Sequence, residues 1–194
     1  HLCLNFVKKK TTEKKVKIKS LKQLLWIGIG GMVMFFAGLT SAYIVRKSEG
    51  NWQEFELPSW FLYSFVLVIL SSLFIILAKK RFHKELPYQQ MILVSVVLGL
   101  LFSLSQFLGW KELVQNGIYF TGEGSNPSGS FLYVLTLAHL LHLIAGLIAL
   151  LVGYFNSMSN KYTIDDHLGL DLIFTFWHFL TILWVYLYLF LVFI

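Results

Sequence analysis

The chain of 194 residues is 57% hydrophobic and only 13% charged, a balance outside that of ordinary soluble domains and one that makes lipid its main solvent. Its formal net charge of +6 does not point to nucleic acid, because the basic residues gather in one tail and one loop. The lone Cys3 excludes an internal disulfide and any thiolate-held metal cluster.

The chain opens on His1 rather than Met, and residues 1–23 form a basic tail carrying Lys8, Lys9, Lys10, Lys14, Lys15, Lys17, Lys19 and Lys22. Five apolar runs follow, over 24–45, 60–78, 91–110, 130–155 and 168–194. Each supplies the roughly 20 helical residues that cross a hydrocarbon core of about 30 Å. None alternates in polarity as the strands of a membrane barrel do. The expected architecture is therefore all-α: an integral membrane bundle of five transmembrane helices, joined by short loops into a single membrane domain over 1–194. The first run is longer than the apolar stretch of a cleaved leader and has no small-residue cleavage site after it, so it reads as an uncleaved span.

Charge sets the expected orientation. Lys79, Lys80, Arg81 and Lys84 lie between the second and third spans, whereas the first and third loops carry Glu49, Glu54, Glu56, Glu112 and Glu123. With basic loops on the cytoplasmic side, the N-terminus is inside and the C-terminus outside. Arg46 and Lys47 end the first span on the outer side, where long basic side chains snorkel to phosphates.

Within lipid, small and polar residues mark the faces along which helices pack. In the first span these are Gly31, Gly38 and Ala42, expected to point into protein. In the third, Ser95, Gly99, Ser103, Gln106 and Trp110 form a stripe at steps of one helical turn. After the turn-forming stretch around Pro127, the fourth span aligns Thr136, His139, His142, Gly146 and Gly153. Asp165 and Asp166 precede the fifth span, where carboxylates suit the free amides of a helix start. With His167 they lack the spacing of a metal ligand set. The fifth span carries Asp171, Thr175, His178 and Thr181 on one side, and Trp177 and Trp184 seven apart on a neighbouring stripe that suits lipid or a packed helix equally.

His139, His142 and His178 are the intramembrane residues with chemical potential. One reading is haem ligation, as in a membrane b-type cytochrome using these histidines; the other has each imidazole bonding across helices to a Thr, a Ser or a backbone carbonyl. No Asp or Glu lies at mid-span, which argues against a proton channel or an ion-coupled small transporter; a structural scaffold is the remaining class.

The fourth span, GSFLYVLTLAHLLHLIAG, resembles subunit III of the haem-copper oxidases through Gly129, Ser130, Thr136, His139, His142 and Gly146. The last span is similar to that family's closing helix through Trp177, His178, Phe179 and Trp184, and the first through Met34, Phe35, Phe36, Ala37 and Gly38. Ser71 with Ser72, and Gly99 to Gln106 with Trp110, follow in the family's order. The resemblance implies a short five-helix form of cytochrome c oxidase subunit III: an accessory, non-catalytic subunit of a proton-pumping terminal oxidase in aerobic respiration, multi-pass in a bacterial cytoplasmic membrane. It implies no catalytic, metal or cofactor-binding residue in this chain. Haem and copper would sit in subunit I, the direct partner, with subunit II and other respiratory subunits nearby and phospholipid bound. Arg46, Gln106, Thr136, His139, His142, Trp177, His178 and Trp184 become candidates for structural or lipid contacts. The chain departs from the family where buried acids are usual, with Met32, Gly109 and Thr181 in their place, so roles assigned to those acids do not carry over.

Overall fold

The computed structural model describes the backbone of residues 2–122, 124–159, 161–163 and 167–194, and side chains among these from Val16 onward. His1, Glu123, Asp165 and Asp166, and the side chains of Cys3 and of the lysines from Lys8 to Lys15, lie outside the described residues. Five helices make up the fold: α1 (Leu2–Ser48), α2 (Ser59–His83), α3 (Gln89–Gln115), α4 (Pro127–Met158) and α5 (Leu168–Phe193). All five are long and apolar enough to cross a membrane.

Helix α1 is 47 residues long, about 70 Å at 1.5 Å per residue, more than twice a hydrocarbon core. No Gly or Pro occurs before Gly28, and the Lys, Leu and Gln of the tail are good helix formers, so nothing stops the helix at the membrane boundary. Breakers act elsewhere. Helix α3 ends where Gly117 takes φ +78 and the amides of Gly117 and Ile118 donate to the carbonyls of Val114 and Leu113, the left-handed cap that closes orphan carbonyls. Helix α2 ends in the same way with Glu85 at φ 57, Leu86 N donating to Arg81 O, and Pro87 following.

Asn126 starts α4. Its Oδ1 accepts from the backbone amide of Ser128 at 3.1 Å, Pro127 takes the first helical position, and Asn126 Nδ2 donates to Asn51 O of the α1–α2 loop at 3.1 Å. The one side chain therefore caps a helix and ties down a neighbouring loop. Asn126→Ala is expected to cost about 0.5–2 kcal/mol, read as a lower thermal midpoint of the detergent-solubilised protein.

Helix α2 packs along α3, α3 against α4, α4 against α5, and α5 back against α2, which closes a ring of four helices. Among the helices, α1 touches α4 and α5 and lies outside the ring. It contributes Ile29, Phe36, Thr40 and Tyr43 to the buried surface; Thr40 Oγ1 and Tyr186 OH are 3.0 Å apart, and Tyr43 meets Trp52, Phe131 and Phe190 edge to face. The small-residue stripe expected to point into protein does not do so. Gly31, Gly38 and Ala42 are exposed, and a Cβ on either glycine would meet nothing within 4 Å. The stripe of Ile29, Phe36, Thr40 and Tyr43 faces the bundle instead.

Two tryptophans of α5 occupy the axis of the ring. Trp177 is 1% exposed and Trp184 0%. At the level of Trp177, glycines on two facing helices leave the room: a Cβ on Gly99 would lie 2.8 Å from the indole, and one on Gly146 would lie 3.2 Å from it. At the level of Trp184 the ring is met by Phe61 of α2, Phe102 of α3 and His139 of α4, at centroid distances of 6.3, 5.0 and 4.8 Å. The choice left open in the sequence, lipid or protein, is resolved as protein for both.

Candidate functional site

The buried polar side chains lie mostly on the faces that close the ring. Between α2 and α3, Ser71 Oγ donates to Ser95 O at 3.1 Å, and Ser95 Oγ lies 3.1 Å from Ser71 O. This reciprocal pair, with both side chains fully buried, lets the two backbones approach closely. Trp177 Nε1 donates to Ser71 Oγ at 3.0 Å, so α5 joins the same knot. The short side chain of serine makes this junction possible, as a larger residue at 71 or 95 would hold the helices apart.

One level along the ring, Trp110 Nε1 donates to Thr136 Oγ1 at 3.0 Å, and Thr136 Oγ1 in turn donates to Leu132 O at 2.8 Å. His139 is wholly buried, and its Nε2 donates to Leu180 O of α5 at 3.0 Å. That bond crosses helices. His178 also bonds across helices, Nδ1 to Ser72 Oγ of α2 at 2.6 Å. His142 differs: its Nδ1 donates to Ala138 O of its own helix at 2.7 Å, and its ring packs on Phe35 and Phe36 of α1. The expected cross-helix bond is thus absent for His142, which stands half-buried where α1 covers α4.

An axial haem ligand presents an imidazole nitrogen to a gap wide enough for a porphyrin. His139 does not fit that task, since its Nε2 is engaged and its ring lies between Phe102 and Trp184. His142 faces α1 and His178 faces α2, so the two do not form an opposed pair. Among the described residues, no three His, Cys, Asp or Glu side chains group to hold a metal ion.

The remaining candidates stand apart from this core. Arg46 lies at the end of α1, bonded to Gly50 O at 3.2 Å and 3.5 Å from Glu49, and lines an open cavity of about 510 Å³ with Asn51, Gln53, Ser125 and Asn126. The structure does not bring it to His139 or Trp177, which are interior. At the opposite, basic end, Asp171 is 3.0 Å from Lys79 of α2 and 3.3 Å from His167, a junction that sequence reading missed because nothing in the chain says that α5 returns to α2. The positions where family acids are usual have other occupants. A Cβ on Gly109 would lie 2.8 Å from Phe61, whose ring fills that place; Thr181 is buried and donates to Trp177 O at 3.1 Å; Met32 is half-buried on α1.

Comparison with known proteins places most of the chain in one family. The family described as cytochrome c oxidase subunit III matches residues 68–194. A probable cytochrome c oxidase subunit 3 of Mycobacterium bovis is 27% identical over 186 residues, covering 89% of this chain and 90% of that protein. One from Nocardia farcinica is 27% identical over 178 residues, covering 87% and 84%. The cytochrome c oxidase subunit 3 of Raphicerus melanotis is 30% identical over 105 residues, covering 53% of this chain and 37% of its own length. The matched segment contains the Ser71 knot, both axial tryptophans and all three intramembrane histidines, and on this evidence the chain belongs to the cytochrome c oxidase subunit III family.

Proposed function

We propose that this protein is an accessory subunit of a proton-pumping haem-copper terminal oxidase in a bacterial cytoplasmic membrane, holding no redox centre and acting through packing and lipid retention beside the haem- and copper-bearing subunit I. The observation that carries the reading is that the ring's central histidine is committed to structure: His139 gives its Nε2 proton to Leu180 O between two aromatic rings. The N-terminus lies in the cytoplasm on this reading, because Lys79, Lys80, Arg81 and Lys84 share one end of the bundle with the lysines that precede α1's membrane span. Lipid retention has support at two depths. Between α1 and α5, Val33, Phe36, Ala37, Phe179, Ile182 and Tyr186 line an apolar groove of about 230 Å³ suited to an acyl chain, and Arg46 stands by the open cavity at the far end where a headgroup would lie. On the same reading, as the family resemblance implies, the chain also shields the partner's active site and supports its proton or dioxygen supply.

The test is purification of the intact complex from its own membranes in mild detergent. The chain is expected to copurify with a large haem- and copper-bearing partner, and His139→Leu, His142→Leu and His178→Leu variants are expected to leave haem per partner subunit unchanged. Haem lost in step with one of these histidines would instead identify a b-type cytochrome.

A further inference from the structure

Among the described residues, four buried side-chain nitrogen and oxygen atoms have no hydrogen-bond partner, and they belong to just three residues: Gln106 Nε2 and Oε1, His139 Nδ1 and Trp184 Nε1. These three come from α3, α4 and α5, and the contacts of their neighbours set them at one level of the ring. His139 and Trp184 lie ring to ring at 4.8 Å. Phe102, one turn before Gln106, touches both, at 5.7 and 5.0 Å. One turn after Gln106, Trp110 bonds Thr136, itself one turn from His139. Gln106 is therefore bracketed along α3 by residues that reach the same stretch of α4, and it is wholly buried.

The chemistry of the four atoms is complementary. With Nε2 of the neutral His139 ring donating to a carbonyl, its Nδ1 carries no proton and only accepts; the Trp184 indole only donates; the Gln106 amide offers an NH2 donor group, with two N–H bonds, and an acceptor oxygen. Whatever fills the site must accept from two donor groups and donate to two acceptors. A cation would face N–H groups from Trp184 and Gln106, and an anion would face two lone pairs. Water donates twice and accepts twice, and buried waters typically bridge otherwise unsatisfied polar groups in this way.

We propose that one internal water molecule is bound at this point, accepting from Trp184 Nε1 and Gln106 Nε2 and donating to His139 Nδ1 and Gln106 Oε1. The polar residues here form a neutral solvent-binding site inside the membrane-spanning part of the bundle. It ties α3, α4 and α5 together at the level where no direct side-chain bond links all three. With all three side chains wholly buried, leaving these groups unpaired is costly, so retention of the water is coupled to retention of the ring.

A map of the unmodified oxidase complex, at a resolution that shows ordered solvent, tests this without any variant. It is expected to contain a single density within hydrogen-bonding distance of all four atoms. A Gln106 amide bonded directly to His139 and Trp184 with no density between them would overturn the proposal, and so would an empty site. A second arm uses Gln106→Leu and Trp184→Phe in the complex. With one shared water, the double variant is expected to lower the thermal midpoint by clearly less than the sum of the single losses, and additive losses would overturn it.

Discussion

Replacing Trp177 by alanine is expected to cost the bundle about 3–5 kcal/mol, enough to lose this subunit from the oxidase during purification in detergent. The indole is 1% exposed, lies against glycines of α3 and α4, and donates to Ser71 of α2, so its removal opens a void where all four ring helices meet. In a bilayer the transfer of apolar surface from water is not regained between helices, and what is lost is contact with neighbouring atoms together with the hydrogen bond. That places the effect toward the lower end of the range. Trp177→Phe keeps most of the ring and gives up the bond to Ser71, at about 1 kcal/mol. The check is the thermal midpoint of the purified complex, read with the amount of this chain recovered per partner subunit. Equal behaviour of the alanine and phenylalanine variants would show that the void does not matter and that the ring is held elsewhere.

The second large effect is expected at the glycine facing that indole. A Cβ on Gly99 would stand 2.6 Å from Leu147 Cδ2 and 2.8 Å from Trp177 Cη2. The leucine terminus yields, whereas the indole is wedged against Gly146 and tethered to Ser71, so α3 itself has to move outward. Overpacking of this kind costs about 1–3 kcal/mol for Gly99→Ala and more for Gly99→Leu. Gly38→Ala on α1 is the matched control: with nothing within 4 Å, it is expected to be neutral or to stabilise the helix by up to about 1 kcal/mol. The same measurement separates the two. A Gly38 variant as damaging as the Gly99 one would mean that α1's outward face is closely covered in the complex.

The contrast between those glycines explains how far the fold was legible in the sequence. Five spans could be read because lipid allows only helices and closed barrels, and long apolar runs without alternation leave the helix. The faces of α3 and α4 also read correctly, since Ser95, Gly99, Thr136 and Gly146 are indeed buried. The same small-residue rule failed on α1, because it records where a close approach is possible and not whether a partner of this chain makes it. Trp177 and Trp184 carried no direction of their own, as an indole suits lipid and core alike; only the glycines opposite, on helices not known to be neighbours, fixed their place. The Ser71–Ser95 pair and the Lys79–Asp171 bridge escaped for a related reason: hydrogen-bond partners between helices depend on which helices are adjacent, and periodicity within one helix is silent on that. The candidate residues likewise divide by depth, with Gln106, Thr136, His139, Trp177 and Trp184 in the ring and Arg46 at its rim.

The position of α1 outside the ring bears on how the molecule is made. Of the five spans it is made before the other four, yet the helices it rests against, α4 and α5, follow all the others. While α2 and α3 are being made, neither of the helices it packs against exists, and its membrane span waits in the bilayer until α4 and α5 follow. Arrival of α5 is therefore the step that both closes the ring and completes the seat on which α1 comes to rest.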